Sequence, residues 1–345
     1  MDNKYKISII LPIFNLEDYL YRSLDSIVNQ TIGVENLEVI MVNDASTDNS
    51  KQIIDEYSKK YENFIAIHKP NNSGHAAEPR NIGLKYVTAD YVMFFDPDDE
   101  FCLDFCEVMY NAITSRDVDI VRCNSITVVD NEENFNPYFD KKINEILLTT
   151  YDEPLKLFAV MGGIHKTSLI LDNNMTFPHY IIGEDIVFSI NEWIHFDKML
   201  YLNNYFGYKY YIRGDSLSHT PNTKNILGLF NTIREGYDLM KNNNREDLIP
   251  IYLGRCVDWT ISNIFYYRES RECRLKYLKE LYEIESKIDS PLIIESLSSK
   301  IANKLLMKKL FNLTDFILTI YVHTLSSKFL IKIYQKLYSI RTKSN

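Results

Sequence analysis

The chain has 345 residues, of which 46% are hydrophobic and 25% charged, a composition that excludes an intrinsically disordered protein and favours two domains at this length. Its five cysteines are odd in number and form no Cys-x-x-Cys pair, so we expect free thiols in a reducing compartment, without zinc or disulfides. The formal net charge of −9 argues against a nucleic-acid partner.

The N-terminus lacks the basic, apolar and small-residue segments of a signal peptide. No stretch reaches about 18 uncharged apolar residues, the length that a membrane-spanning helix needs. The nearest stretch, Leu310 to Leu325, is interrupted by polar residues. We therefore expect a cytoplasmic location, with the inner face of the cell membrane as a place of peripheral contact.

Residues 5 to 125 alternate between short apolar runs and amphipathic stretches, which is the pattern of a β-α fold. The runs are too uniformly apolar for half-exposed strands, so they predict a buried parallel sheet. They are Ile7 to Pro12, Leu37 to Asn43, Phe64 to His68 and Tyr91 to Asp96. Helices are expected from Leu16 to Val28 and from Ser50 to Tyr61. Ligands of such sheets bind beyond the carboxyl ends of the strands, so the loops there should carry the chemistry.

The loop after the fourth run, Asp96-Pro97-Asp98-Asp99-Glu100, is the densest acidic cluster of the chain. Crowded carboxylates repel one another unless a cation neutralises them, and Mg²⁺ or Mn²⁺ binds to carboxylates together with substrate phosphates. The turn therefore predicts a site for such a metal and a phosphorylated ligand. The alternative is that Asp98 and Asp99 only cap a helix that begins near Phe101 and Cys102. We assign Glu100 to the start of that helix and not to the metal site.

Three other loops carry residues suited to nucleotide binding. Pro12-Ile13-Phe14-Asn15 follows the first run, and Asp44 follows the second, where its carboxylate can accept a hydrogen bond from a base edge. We assign Asp48 to a turn and a helix cap. Arg80 and Asn81 lie near a predicted helix N-terminus, where N–H groups and a guanidinium favour a phosphate. A surface salt bridge is the alternative for that helix start.

Two adjacent acids, Glu184 and Asp185, follow Gly183 at the start of an amphipathic stretch. Neighbouring residues at a helix start point in different directions, so one carboxylate can face the crevice while the other caps the helix. Simple helix capping by both is the alternative.

The segment from Tyr210 to His219 joins a Tyr-rich strand to a polar loop. Its cation and hydroxyls, supplied by Arg213, Ser216 and Ser218, suit the phosphates of a ligand. A lone histidine such as His219 is more often structural than catalytic.

From about Lys224 the pattern becomes purely helical, so we place a domain boundary between residues 223 and 224. The first domain, 1–223, would contain a nucleotide half of about 1–105 and a second half of 106–223, and 224–345 would be a helical extension. From Lys300 to Asn345, nine Lys or Arg residues stand against one acid, a net charge of +8. This basic, amphipathic end predicts contact with an anionic membrane or polyanion, or a terminal helix packed on the body.

Several motifs in combination resemble family 2 glycosyltransferases, whose fold is GT-A. They are Pro12-x-Phe14-Asn15, Asn43-Asp44-Ala45-Ser46, Gly74 to Gly83 and Asp96-Pro97-Asp98-Asp99, within about residues 6 to 105. The family usually has a second acid in place of Asn43 and a glycine in place of Ala45, but the base-binding acid is kept. The resemblance implies an α/β, Rossmann-like, mostly parallel sheet flanked by helices, to which this chain adds an α-helical C-terminal region.

The resemblance also implies roles for the loop residues. Pro12 and Phe14, with Asn15, would line the base pocket, and Asp44 would bind a uracil edge. Arg80 would lie near the diphosphate, with Asn81 beside it. Asp98 would contact the ribose or the metal, and either Asp96 or Asp99 would share the metal.

The catalytic roles implied by the resemblance belong to the second half of the domain. Glu184 and Asp185 resemble the acceptor-activating pair of the family, with Asp185 as the general base. Loops similar to Arg213 to Ser218 close over the donor diphosphate in relatives of the family.

The implied activity is a metal-dependent inverting glycosyltransferase, using Mn²⁺ or Mg²⁺ and a nucleotide-sugar donor of the UDP-sugar type. Its acceptor would be a bacterial or archaeal cell-surface glycan, a teichoic-acid-like polymer or a lipid-linked glycan. A dehydrogenase is excluded because no Gly-x-Gly-x-x-Gly turn follows the first strand. One alternative is a sugar nucleotidyltransferase, but this chain lacks the Gly-rich N-terminal loop of those enzymes. The other is a non-catalytic nucleotide- or glycan-binding module, but such a module would be expected to have lost one of the acids Asp44, Asp98 and Asp185.

Overall fold

The computed structural model describes residues 4–135, 137–149, 160–180, 182–212, 223–266 and 270–325. The chain divides into two compact units, Met1–Thr220 and Pro221–Asn345. The division lies close to the predicted boundary at residues 223 and 224. The first unit contains the sheet, and the described part of the second is helical.

The first part of the first unit follows the predicted alternation of strands and helices. Its strands are β1 (Ile7–Ile13), β2 (Leu37–Asn43), β3 (Phe64–His68) and β4 (Tyr91–Phe94), and its helices are α1 (Glu17–Val28), α2 (Ser50–Lys60) and α3 (Ala77–Leu84). The strands pair in parallel in the order β3-β2-β1-β4. Every residue of β1 and β2 is buried, which explains why these segments are continuous apolar runs in the sequence. The predicted strands and helices are therefore confirmed here.

The second part of this unit extends the same sheet. Its strands are β5 (Glu100–Phe101), β6 (Ile120–Val129), β7 (Glu132–Phe135), β8 (Glu145–Thr149), β9 (Gly163–Lys166) and β10 (Lys198–Tyr211), and its helices are α4 (Phe105–Arg116), α5 (Thr167–Asp172) and α6 (Glu184–His195). The sheet order is β3-β2-β1-β4-β9-β6-β10-β5, with β7 on β6 and β8 on β10. β9 runs antiparallel to both of its neighbours, whereas β6 and β10 pair in parallel. The sheet is therefore parallel in its first four strands and mixed beyond them.

Glu100 does not begin a helix, contrary to the prediction. Glu100 and Phe101 pair antiparallel with Lys209 and Tyr208 of β10, and α4 begins only at Phe105. Pairing with β10 places the Phe101 ring in the core, where it is 2% exposed. That burial favours a short strand over an exposed first turn of helix.

An aromatic cluster packs below the acidic turn. The ring centroids of Phe95 and Phe101 are 4.1 Å apart, those of Phe101 and Phe105 are 4.5 Å apart, and Tyr208 packs edge-on against the group. Aromatic pairs at these separations contribute about 0.5–1.5 kcal/mol beyond their buried area. The turn thus rests on a rigid, buried base.

The second unit consists of amphipathic helices around its own apolar core. They are α7 (Thr223–Asn242), α8 (Ile249–Tyr266), α9 (Arg271–Glu285), α10 (Leu297–Leu306) and α11 (Phe311–Leu325). Ser270 and Ser296 cap α9 and α10 by accepting hydrogen bonds from the amides of Cys273 and Ser299. No helix in the described part of the chain has the length and apolarity that crossing a bilayer needs.

Candidate functional site

A cleft of about 360 Å³ opens at the carboxyl ends of β1, β2 and β4. This is where ligands bind in open α/β sheets. Its walls come from three loops and the start of α3: Pro12, Ile13, Phe14, Asn15, Leu16, Asp44, Asn72, Gly74, His75, Ala76, Pro79, Arg80, Asp96, Pro97 and Asp98. The fold brings together here the predicted site residues Pro12, Phe14, Asn15, Asp44, Arg80, Asp96 and Asp98.

The loop after β1 presents an aromatic ring to this cleft. Phe14 follows this buried strand directly and is 43% exposed. Asn15 fixes the loop, because its backbone amide donates to Ser46 Oγ at 3.1 Å and its Oδ1 accepts from the Thr47 amide at 2.8 Å. The first two loops are therefore held together, with Phe14 positioned to stack on a planar ligand.

Asp48 and Ala45 shape the loop after β2. The Asp48 carboxylate accepts hydrogen bonds from the amides of Glu17 and Ser50, both at 3.0 Å. It thereby caps the starts of α1 and α2, which confirms its structural assignment. Ala45 has a φ of 58°, in the left-handed region that favours glycine. The local backbone thus has a conformation that suits the glycine usual in the resembling family.

Asp44 is 1% exposed and lies at the floor of the cleft. Its carboxylate accepts hydrogen bonds from Lys69 Nζ, from Asn72 Nδ2 at 3.0 Å, and from Ser73 through its amide at 3.0 Å and its Oγ at 2.7 Å. These donors occupy the roughly four acceptor positions of a carboxylate. A base-edge N–H that binds Asp44 must therefore replace one of them.

The three aspartates of the acidic turn have different environments. Asp96 and Asp98 line the cleft, and Asp96 pairs with Arg80 at 2.8 Å. Asp99 is 1% exposed and accepts from Tyr208 Oη at 2.6 Å and from the Tyr211 amide at 2.9 Å. Burial and the neighbouring carboxylates of Asp98 and Asp96 raise the pKa of Asp99.

Asp99 is therefore bound to β10 and does not line the cleft, which differs from its prediction as an alternative metal ligand. Of the two partners left open for Asp98, the geometry favours Asp96. Two cleft-facing carboxylates suit Mg²⁺ or Mn²⁺, which bind through one or two carboxylates and complete their coordination with water and phosphate oxygens. The residues present thus fit the implied metal.

Arg80 of α3 is 3% exposed, so the alternative of a surface salt bridge is wrong. Its Nη2 donates to Asp96 Oδ1 at 2.8 Å and its Nη1 to Glu184 Oε1 at 3.0 Å, and its guanidinium lies 5.2 Å from the Phe177 ring centroid. Burial alone would lower the pKa of Arg80, but the charges of Asp96 and Glu184 raise it. The side chain is a permanent cation that joins the acidic turn to the start of α6.

Glu184 and Asp185 form the first turn of α6, after Gly183 with a φ of 94°. Burial and then Asp185 raise the pKa of Glu184 to about 7, although Arg80 opposes this shift. Burial raises the pKa of Asp185 to about 6, again against the effect of Arg80. Glu184 forms an ion pair with Arg80, whereas Asp185 Oδ1 accepts a hydrogen bond from the neighbouring Ile186 amide at 2.9 Å. Arg80 thus engages Glu184 directly, and the Asp185 carboxylate is bonded to the backbone of its own helix.

Asn81 does not line the cleft, in contrast to its prediction as a nucleotide-binding residue. Its Nδ2 donates to the Phe177 carbonyl at 2.7 Å, and its Oδ1 accepts from the Phe177 amide at 2.8 Å. This pair of bonds uses both ends of the amide side chain to hold the segment that leads to α6. The predicted residues Arg213, Ser216 and Ser218, with His219, lie outside the described residues.

A buried ion network attaches α6 to the sheet. Arg122 of β6 pairs with Glu192 of α6, and His165 Nδ1 of β9 lies 2.7 Å from Glu192 Oε1. Burial opposes ionisation of Glu192, but Arg122 and His165 outweigh it and the pKa of Glu192 is lowered. The helix that carries Glu184 and Asp185 is thus anchored by charge as well as by packing.

Sequence reasoning missed several residues that shape the site. Arg22 of α1 donates to the Asp98 carbonyl, and its guanidinium stacks 3.7 Å from the Tyr211 ring centroid. Lys69 and His75 lie beside Asp44 and on the cleft wall. His75 belongs to the Gly74–Gly83 motif and could have been examined there, but Arg22 has only helical spacing around it and gives no local signal.

The sequence matches known proteins over most of its length. Residues 8–172 match the family model described as Glycosyl transferase family 2. A poly(ribitol-phosphate) beta-glucosyltransferase of Bacillus spizizenii is 30% identical over 291 residues, which cover 80% of this chain and 44% of that protein. The minor teichoic acid biosynthesis protein GgaB of Bacillus subtilis is 32% identical over 312 residues, covering 85% and 34% respectively. The chain therefore spans less than half the length of these relatives.

The fold has a counterpart among solved structures. Residues 1–349 of S. aureus TarS, crystallised with UDP-GlcNAc, superpose with a TM-score of 0.77 at 20% identity, over 92% of each chain. At this identity the likeness establishes the fold.

Proposed function

The chain is a member of glycosyl transferase family 2 with a GT-A fold, and on this premise we propose that it is a metal-dependent, inverting glycosyltransferase that uses a UDP-sugar. The observation that carries the proposal is the position of Arg80. This residue lines the cleft and binds both the acidic turn and the Glu184–Asp185 pair. On this proposal Arg80 would hold the donor-binding and proton-accepting groups next to each other.

The donor nucleotide would lie in the cleft with its base against Phe14. An exposed aromatic ring offers stacking area, and Asp44 offers a carboxylate to a uracil N–H in exchange for one of its present donors. UDP-GlcNAc binding by TarS, which shares the fold, supports a uridine donor. Pro12 and Asn15 would complete the base pocket from the loop after β1.

Asp98 and Asp96 would hold the divalent metal and, through it, the diphosphate. Mg²⁺ or Mn²⁺ would supply positive charge to the leaving diphosphate. Arg80 contributes a second, permanent positive charge on the same wall of the cleft. The acidic turn keeps its shape because Arg22 binds the Asp98 carbonyl and Tyr208 binds Asp99.

Asp185 would act as the general base. Its carboxylate takes the proton of the acceptor hydroxyl while that oxygen forms a bond to the anomeric carbon and the bond from this carbon to the diphosphate breaks, with the electron pair leaving on the phosphate oxygen. A single displacement inverts the configuration. A pKa of about 6 leaves Asp185 ionised at neutral pH yet more basic than an ordinary aspartate. Glu184, which Arg80 holds by an ion pair, would fix the first turn of α6 and with it the position of Asp185.

The acceptor would be a cell-surface polymer of the teichoic-acid type. The relatives that support this include a poly(ribitol-phosphate) beta-glucosyltransferase and a minor teichoic acid biosynthesis protein. A polyol-phosphate chain carries repeated hydroxyl and phosphate groups, so a basic surface would attract it. The proposal also includes cell-surface glycans and lipid-linked glycans, because they too offer hydroxyl groups to the reaction.

The second unit has a surface suited to peripheral contact with a membrane. Leu313, Phe316 and Ile320 are exposed at i, i+3 and i+7 of α11, and exposed lysines precede them at Lys304 and Lys308. Apolar side chains on one helix face, together with nearby lysines, are typical of helices that lie on anionic bilayers. Reduced binding of Phe316→Ser to anionic liposomes, with retained donor hydrolysis, would support this contact, whereas unchanged binding would contradict it.

The activity is tested by measuring sugar release from a panel of nucleotide sugars with and without Mn²⁺. We expect hydrolysis of one or more UDP-sugars that requires the metal and increases when a poly(ribitol-phosphate) acceptor is added. Use of only GDP- or ADP-sugars would contradict the donor assignment. Formation of a sugar nucleotide from a sugar phosphate and UTP would instead identify a nucleotidyltransferase.

A further inference from the structure

A second group of potential metal ligands lies beside the cleft, apart from the acidic turn. His75 precedes α3, Glu78 is in the first turn of α3, and His179 lies between α5 and α6. Each of the three offers a ligand atom, and these atoms all lie within 4.8 Å of one another. The rings of the two histidines are in contact, with centroids 5.3 Å apart.

The ligand types differ from those of the acidic turn. Two imidazoles and one carboxylate suit Zn²⁺ and related transition metals, whereas carboxylates alone suit Mg²⁺ and Mn²⁺. Zinc bonds of about 2.0–2.2 Å in tetrahedral geometry place ligand atoms about 3.4 Å apart. The ligand atoms of the three residues lie within 4.8 Å of one another, and the exposed His179 side chain has room to adjust to this distance.

The other contacts of these residues are compatible with a metal. Glu78 Oε1 lies 3.1 Å from Lys69 Nζ, which leaves Oε2 of the same carboxylate for an ion. His75 Nδ1 accepts a long hydrogen bond from the Glu78 amide at 3.4 Å, and its Nε2 is the ring nitrogen on the other side. Burial and then the neighbouring His179 lower the pKa of His75.

We propose that His75, Glu78 and His179 form a binding site for one divalent transition metal ion, with Zn²⁺ as the best match. The ion would link two segments that sequence places far apart. One contains Asn72 and Ser73, which hold Asp44, and the other leads directly to Glu184. A bound ion would therefore cross-link the base-facing wall of the cleft to the start of α6.

The test uses the full chain with Mg²⁺ in excess, so that the acidic turn is saturated while Zn²⁺ is titrated against a chromophoric chelator. We expect one Zn²⁺ per chain and a rise in Tm on binding. His179→Ala, at an exposed position that tolerates truncation, should weaken Zn²⁺ affinity about 100-fold or more, since even outer-shell partners contribute 10–100-fold. Glu78→Gln should weaken it as well, and the control His195→Ala should not.

Co²⁺ gives a second readout that is independent of enzyme activity. Its visible absorption should change in the wild-type chain and in Asp98→Asn, and should be lost in His179→Ala. Absence of Zn²⁺ binding, equal affinity in His179→Ala, or loss of Zn²⁺ binding in Asp98→Asn would each overturn the proposal. None of these outcomes depends on sugar transfer, so the test is separate from that of the proposed function.

Discussion

Arg80 donates a hydrogen bond to Glu184 at 3.0 Å, although the two residues are 104 positions apart in the chain. The other arm of the same guanidinium binds Asp96 at 2.8 Å. The Arg80 side chain is buried, and those of Glu184 and Asp96 are 10% and 24% exposed. Removing this cation would leave both carboxylates without a partner, and the cost is greater for Glu184, the more buried of the two. The donor side and the acceptor side of the proposed site therefore depend on a single side chain.

Replacing the proposed base should separate catalysis from binding. Asp185→Asn keeps the size of the side chain but removes its basicity, so we expect kcat for sugar transfer to fall about 10²- to 10⁴-fold while the Kd for UDP changes little. The matched control is Asp172→Asn, an exposed aspartate at the end of α5, which should leave kcat unchanged. Full activity of Asp185→Asn would remove this residue from the role of base.

The pH dependence of transfer should report the raised pKa of Asp185. The base acts in its ionised form, so activity is retained above its pKa of about 6 and falls tenfold per unit as pH decreases below it. A profile of kcat over roughly pH 4.5 to 8.5 covers both sides of this pKa and measures the decrease. A profile that stays flat down to pH 5 would indicate a base of ordinary acidity.

Removing the charge of Arg80 should affect both the stability of the fold and the pKa values of Glu184 and Asp185. Arg80→Met leaves Glu184 and Asp96 without their partner, so we expect a loss of about 3–5 kcal/mol in the free energy of unfolding, seen as a lower Tm. Because Arg80 lowers the pKa of Glu184 and Asp185, the acid limb of the rate profile should also move to higher pH. Arg80→Lys keeps the charge without the two-armed geometry and should show smaller effects of both kinds. An unchanged limb in Arg80→Met would contradict the coupling.

The metal ligands can be distinguished by three matched substitutions. Asp96→Asn and Asp98→Asn should each weaken Mn²⁺-dependent UDP binding about tenfold or more, since each removes a cleft-facing charge. Asp99→Asn should not, because Asp99 is buried against Tyr208 and Tyr211. Calorimetric titration of UDP with and without Mn²⁺ measures all three. Loss of the metal effect in Asp99→Asn alone would reverse this assignment.

Ala45 offers a test of backbone strain next to the cleft. Its φ of 58° destabilises the folded state by about 1–2 kcal/mol for an L-residue, and glycine would avoid this strain. Glycine also makes the unfolded chain more flexible, which lowers the stability of the fold by about 0.4–1 kcal/mol. Ala45→Gly should therefore leave Tm unchanged or raise it by a few degrees. A clear decrease in Tm would mean that the Ala45 methyl group makes contacts that outweigh the strain.

Much of the first unit could be predicted from sequence because its signals are local. A strand such as β2, buried on both faces, has to be apolar throughout, and the polar residues that follow it have to lie at the carboxyl edge. Asp44, Asp96 and Asp98 were placed at the cleft by this argument and by the resemblance, and the structure brings them together.

The remaining features depend on contacts between distant parts of the chain. Nothing near Asp99 reveals that Tyr208 and Tyr211 bind its carboxylate, and nothing near Asn81 reveals that both ends of its amide are used by Phe177. The local sequence predicts a helix start at Glu100. Its strand partner in β10 is more than 100 residues away, so the short strand gives no local signal. Such pairings follow from tertiary structure, which spacing in one sequence does not encode.

The account is tested most directly by calorimetric titration of the full chain with UDP and with GDP, each in the presence and absence of Mn²⁺. A uridine-diphosphate donor site at Asp44 and the Asp96–Asp98 turn predicts that UDP binds with one site per chain, that Mn²⁺ strengthens this binding, and that GDP binds more weakly. Absence of UDP binding with Mn²⁺ present, or a preference for GDP, would contradict it.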